Sequence, residues 1–161
     1  MMPMNPPHLP PPPALQPLTH IECEVGPVVS LGPAPLGVRR YVPLLGGTVS
    51  GPILSGRVLE GGVDWQIQQA SGALEIDAHY VIEATDGALI EVRSQGVRHG
   101  PREVMERLAA GEDVPAEAYY FRTFVRFTTG AERWSHLNGL LAVARGHRQA
   151  RYVLLDLYAL S

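Results

Sequence analysis

The stretch 46–88, GGTVSGPILSGRVLEGGVDWQIQQASGALEIDAHYVIEATDGA, decides how the chain is read. Its glycines recur at the spacing of short strands joined by tight turns. Within it, Leu74, Ile76, Ala78, Tyr80 and Ile82 alternate with Glu75, Asp77, His79, Val81 and Glu83. This is period two, and a slip of one residue would expose the whole apolar set, so the register of this strand is strongly specified. Gly61-Gly62 before it is a hairpin signal, and Thr85-Asp86-Gly87 after it is another. Between residues 63 and 69, Val63, Trp65 and Ile67 share one face, while Asp64, Gln66 and Gln68 share the other.

The same pattern extends outward. Towards the N-terminus, Thr19, Ile21, Cys23 and Val25 alternate with polar residues, and residues 28–31 continue the strand after Pro27. Residues 32–37, with two prolines flanked by glycines, read as a loop. In residues 38–44, Arg39 and Tyr41 share one face, with Val38, Val42 and Leu44 on the other. Gly46-Gly47 allows a bulge, and residues 53–59 read as a strand. Towards the C-terminus, Ala88, Ile90 and Val92 alternate. Residues 119–128, YYFRTFVRFT, form an aromatic and β-branched strand. Residues 137–144 and 151–160 read as a last pair joined across residues 146–149. One helix is expected over 101–110, with Pro101 at its start, Val104, Met105 and Leu108 on one side and Gly111 at its stop.

Nine or ten short strands and one short helix describe an all-β domain. The linkers are too short for the crossovers of a parallel sheet. A single closed antiparallel β-barrel is the preferred architecture, because closure removes the unpaired edges that no strand here protects. The barrel is expected over 18–161. Residues 1–17 hold more than half of the 15 prolines and read as a disordered tail, without the charged start and apolar core of a signal peptide. The helix has two placements, as a lid on one barrel mouth or as a surface crossover.

Composition excludes several classes. The net charge is −3 with no basic run, which argues against nucleic-acid binding. No stretch approaches the ~18 apolar residues of a membrane span. A single cysteine, Cys23, permits no intrachain disulfide and suits a cytoplasmic protein. No Cys/His spacing suggests a metal, no cofactor is expected, and a GxSxG nucleophile motif is missing.

Several ordered motifs belong together: Gly37-Val38-Arg39, Gly46-Gly47, Gly51-Pro52, Gly61-Gly62-Val63-Asp64-Trp65, Asp77-Ala78-His79-Tyr80, Asp86-Gly87-Ala88, Tyr120-Phe121-Arg122-Thr123 and Leu137-Asn138. As a set they resemble the bacterial and fungal family known as domain of unknown function 3237. The resemblance covers nearly everything after the proline-rich segment. It implies an antiparallel barrel, lipocalin-like or allene-oxide-cyclase-like, and no particular reaction. His79 departs from the family pattern, which places a basic residue, often Arg, at that point.

Candidate site residues follow from charge and aromatic character in strands. Asp64 is the candidate general base and Arg122 the candidate oxyanion stabiliser. Arg39, Trp65, Tyr80, Phe121, Trp134 and Asn138 are candidate ligand contacts. Trp134, His136 and Asn138 would share a face if they lay on a strand. Each candidate also has a plain structural reading. The arginines can cover an outer sheet, Asp64 can accept bonds at a turn, and the aromatics can be core. Asp77 and Asp86 read as structural. Three functions remain open: a barrel binding a small, partly apolar organic molecule, a cofactor-independent isomerase, cyclase or lyase using Asp64 and Arg122, or an interaction module with a filled interior. An exposed aromatic face on 119–127 would favour a homodimer.

Overall fold

The computed structural model describes residue 3 and residues 10–161. Ten strands form among them: β1 (Leu15–Val25), β2 (Val29–Ala34), β3 (Gly37–Ser50), β4 (Gly56–Val58), β5 (Gly62–Gln68), β6 (Leu74–Ala84), β7 (Leu89–His99), β8 (Tyr120–Thr128), β9 (Leu141–Arg148) and β10 (Tyr152–Leu160). All pairings are antiparallel, and the β1–β3 ladder closes the sheet on itself. The closed barrel has eight staves, because two staves are each built from two collinear strands. β4 and β5 successively pair the two halves of β3 and of β6. β1 and β2 likewise pair successive parts of β3. The second break, at residues 26–28, leaves a gap in the wall at one barrel end.

Closure needs backbones to approach tightly where β1 crosses β3. Gly47 lies there, and a Cβ on it would collide with the Glu22 carbonyl. Beside it the ladder passes from Glu24↔Gly46 to Val25↔Leu44, so Leu45 is a bulged residue pushed outward.

The two halves of the interior differ because their inward residues differ. At one end Leu18, Leu54, Ile82, Ile90, Val92, Leu137 and Leu157 are fully buried and fill the barrel. A 3-10 helix, Glu132–Gly139, closes that end with Trp134 and Leu137, which lie three residues apart and so on one face. At the other end several inward positions are small or polar, among them Ala78, Ser94, Gly96, Thr123, Ala144 and Gly146. Space remains there. Helix α1 (Arg102–Ala109) spans this end and buries Val104, Met105 and Leu108, with Met105 against Gly72 in the β5–β6 turn. Gly111, just beyond α1, faces Ala150 in the β9–β10 turn. Of the two placements open for the helix, the lid is the one observed.

Several expectations shift. β1 starts at Leu15, inside the stretch read as a tail, with Leu15, Gln16 and Pro17 paired to β10. Pro17 is tolerated because the register breaks between Pro17 and Thr19. Apart from residue 3, the tail expectation for residues 1–9 lies outside the described residues. Residues 32–34 form strand rather than loop, because an edge strand such as β2 accommodates Pro33. Within 53–59 only β4 is strand, because the Ser55 hydroxyl bonds the Gly51 backbone and turns the chain. Residues 137–139 are 3-10 helix rather than strand. β9 runs on through 146–148, expected as a turn, and so carries Arg148 into the barrel mouth.

Candidate functional site

The half-filled end encloses a cavity of about 620 Å³. The interior is therefore not filled by side chains, as an interaction module with a solid barrel would require. Its walls are apolar through Ile21, Val42, Ile76 and Phe121, and its mouth lies between α1, the β1–β2 break and the β9–β10 turn. Four charged side chains line it below the rim: Arg40 of β3, Asp64 of β5, Arg98 of β7 and Arg148 of β9. At the rim itself, Glu24 pairs with Arg151 at 3.0 Å.

Strand parity brings these side chains inward. On β5 the inward positions are Asp64 and Gln66, so the apolar Trp65 and Ile67 point out. On β3, Arg40 has the parity of the buried Val42 and Leu44. On β7, Arg98 follows Ile90, Val92 and Ser94, and it is 7% exposed. On β9, Arg148 follows Ala142 and Ala144. The Tyr119 hydroxyl pins this strand end by accepting the Arg148 backbone N–H at 2.8 Å.

A short relay holds the acid. Arg40 Nε donates to Gln66 Oε1 at 2.8 Å, and Gln66 Nε2 donates to Asp64 Oδ2 at 2.7 Å. Asp64 Oδ1 is buried without a partner among the described residues, as are the Tyr80 hydroxyl and Arg98 Nε. Orphaned polar atoms are scarce in folded proteins, and three around one cavity mark a place where a polar molecule belongs. Burial raises the Asp64 carboxyl from 3.8 to about 6, against the Gln66 hydrogen bond and the attraction of Arg98, Arg148 and Arg40. Burial also lowers Arg98 to about 10, helped by repulsion from Arg148 and Arg40. Arg40 and Arg148 are lowered too, mainly by burial. Tyr80 is pushed up by burial, with Cys23 and Asp64 adding to the effect. Across the cavity, the Ser94 hydroxyl donates to Thr123 Oγ1 at 2.7 Å, so this buried pair is satisfied.

Three of the eight residues expected at the site line the cavity: Asp64, Tyr80 and Phe121. The other five lie elsewhere. Arg122 has the opposite parity to Phe121 and Thr123. It sits on the outer surface over the Tyr120 ring, 5.0 Å from its centroid, and donates to the Phe121 carbonyl. Arg39 and Trp65 stack on each other outside the barrel, 4.8 Å from guanidinium to ring. Trp134 plugs the far end and donates its indole N–H to Asp86 at 3.0 Å. Asn138 staples the loop after β8: its Oδ1 accepts the Thr129 N–H and its Nδ2 donates to the Thr129 carbonyl. Arg40, Gln66, Arg98 and Arg148 were missed, although extending the alternation of their strands would have found them. His79 lies on the outer face, 2.9 Å from Glu91. Among the described residues no group of three His, Cys, Asp or Glu could hold a metal, and no helix is long and apolar enough to cross a membrane.

Fold and cavity together define an antiparallel β-barrel with a polar pocket under a helical lid. The chain belongs to the family described as protein of unknown function (DUF3237), whose model matches residues 13–160. A UPF0311 protein of Rhodopseudomonas palustris is 39% identical over 138 residues, covering 86% of this chain and 90% of the relative. Among solved structures, a conserved protein of unknown function from R. palustris superposes with a TM-score of 0.89 at 37% identity, covering 95% of this chain and 100% of that one. A β-barrel-like protein from Acinetobacter baumannii gives 0.84 at 40% identity, over 96% and 99%. More distantly, a protein of Penicillium herquei named a hydroalkoxylation enzyme is 34% identical over 83 residues, 52% of this chain and 55% of that protein. A solved enzyme structure from P. herquei, at 24% identity and a TM-score of 0.71 over 95% and 98% of the chains, shares the fold.

Proposed function

We propose that the protein is a cofactor-independent enzyme that moves a proton on a small, partly apolar organic molecule held inside the barrel, with Asp64 as the acid–base group. One observation carries this reading. An enclosed carboxyl on the cavity wall is raised to about 6, where it can both give and take a proton near neutral pH. Arg40 and Gln66 orient the carboxyl through Oδ2, which leaves Oδ1 for the transferred proton. The protonated acid donates to one atom of the substrate and recovers a proton from another, so an isomerisation or cyclisation balances without a co-reactant. The name of the P. herquei relative supports this class, since hydroalkoxylation moves a proton from oxygen to carbon as an O–H adds across a C=C bond.

A barrel that binds and releases such a molecule unchanged is the second reading, favoured by the apolar lining at Ile21, Val42 and Ile76. The two separate in D₂O. Small molecules extracted from the purified protein, together with a panel of alkenyl phenols and enolisable ketones, are incubated with protein and followed by mass spectrometry. Proton transfer predicts deuterium incorporation or cyclised product with the native protein and loss of both in Asp64→Asn. A bound molecule recovered unlabelled and unchanged, with no panel member labelled above a protein-free control, overturns the enzymatic reading.

A further inference from the structure

Six of the ten arginines outside the barrel interior are paired with carboxylates, while Arg39, Arg102, Arg122 and Arg126 have no ion pair among the described residues. On the surface, Arg57, Arg93, Arg107, Arg133, Arg145 and Arg151 each have a carboxylate within 3.3 Å. Inside, where an unpaired charge is most costly, neither the Arg98 nor the Arg148 guanidinium has a hydrogen bond or ion pair among the described residues. Arg98 is nevertheless 7% exposed, with Nε wholly buried and unpartnered. Its guanidinium carbon lies 5.8 Å from the Phe121 ring centroid, so an aromatic face holds the fork in place. Arg40, the third cation, is committed to Gln66. Among the described residues Asp64 is the one carboxylate lining the cavity below the rim, and it faces three guanidiniums, so this end of the barrel carries excess positive charge.

We propose that Arg98 and Arg148 form an anion subsite inside the barrel, and that the molecule bound there is an organic carboxylate with an apolar body. The carboxylate takes the guanidinium donors, which match its two oxygens in geometry. The apolar body lies against Ile21, Val42, Ile76 and Phe121, within reach of Asp64. This names the substrate class for the reaction proposed above and rests on that reading only for the turnover. The folded state tolerates two uncompensated cations because the ligand supplies their counter-charge.

Benzoate and its neutral isostere benzamide test the subsite by isothermal titration calorimetry. The native protein is expected to bind benzoate at least about tenfold more tightly than benzamide. Added chloride, an anion that can itself occupy the subsite, should compete with benzoate and leave benzamide unchanged. Arg98→Gln and Arg148→Gln should each cost at least about tenfold for benzoate and little for benzamide. Arg148 is the less buried of the two and so the safer variant for folding, while the chloride arm needs no variant. Asp64→Asn should keep benzoate binding while losing proton transfer, which separates the two ideas. Equal affinity for the two compounds, no benzoate binding up to its solubility limit, or chloride-insensitive benzoate binding overturns the subsite and leaves deuterium exchange as an independent result. Discrimination for benzoate without any exchange overturns the proton-transfer reading and keeps the subsite.

Discussion

Replacing Asp64 by Asn should stabilise the protein in a pH-dependent way. The folded carboxyl titrates at about 6, whereas the same group in the unfolded chain titrates near 3.8. The folded state therefore holds the proton more tightly than the unfolded state does. Below the unfolded value both states are protonated and Asp64 carries no charge penalty. As pH rises through the window between the two values, the unfolded state ionises first and stability falls. Above the folded value the whole penalty is present. A rise of roughly two pH units corresponds to about 3 kcal/mol at about 1.4 kcal/mol per unit. Asn keeps the oxygen that accepts from Gln66 and cannot ionise. Its amide leaves a neutral donor where Oδ1 has no partner, but that cost is the same at every pH. The decisive quantity is therefore a difference of differences. Near pH 4, just above the unfolded value, about 0.6 kcal/mol of the penalty is already present, so urea denaturation of both proteins near pH 4 and near pH 8 should show the variant gaining about 2.4 kcal/mol relative to wild type between the two. In a thermal scan this is a relative shift of roughly 5–10 °C for a chain of this size. A variant-minus-wild-type difference that is the same at both pH values would refute the claim that the fold holds this carboxyl in an unfavourable charged state.

Two further substitutions probe how the cavity is built. Gly146→Ala should cost roughly 1–3 kcal/mol and shrink the cavity, because the new Cβ would lie 2.6 Å from the Phe121 ring and drive it inward; denaturation together with a crystal structure of the variant checks this, and an unmoved Phe121 with unchanged stability would contradict it. Ser94→Ala removes the donor to Thr123 in a buried pair and should cost about 1–2 kcal/mol in equilibrium denaturation; a neutral result would mean that Thr123 finds another partner.

Much of the barrel was legible because its strands obey a simple alternation. β6 is the clearest case. The five apolar residues read as one face all point inward, joined by Ala84, and the turns at Gly61-Gly62 and Asp86-Gly87 bound the neighbouring strands as their glycines suggest. Helix α1 was marked by Pro101, three apolar residues and Gly111. The failures have physical causes. Trp134 and Leu137 are spaced for a single face of a 3-10 helix, but the β-prone residues that follow them drew the strand too early. The hydrogen bonds that decide the matter, between Asn138 and Thr129, are made across a loop and leave no periodic trace. The tail boundary moved because Pro17 sits at a register break, and a break depends on the partner strand, here β10, from the far end of the chain.

The site was legible in principle through the same alternation. The sequence reading pairs Asp64 with Trp65 at the site, although neighbours on a strand face opposite sides. The same rule separates Arg122 from Arg98. Arg122 lies between Phe121 and Thr123 and has the parity of the exposed Phe124 and Arg126, so it must lie outside once Val125 and Phe127 are core. Arg98 has the parity of Ile90 and Val92, Arg40 that of Val42 and Leu44, and Arg148 that of Ala142 and Ala144. Each of these three charges therefore stands on the core face of its strand, near the end where β3, β7 and β9 reach the cavity. A lone charge on a core face is costly enough that a fold rarely retains it for packing. Three such charges converging with one carboxylate carry a cost that binding a counter-charged ligand would offset, and so the core-face charge, more than the conspicuous aromatics, is the feature of this sequence that points to its site.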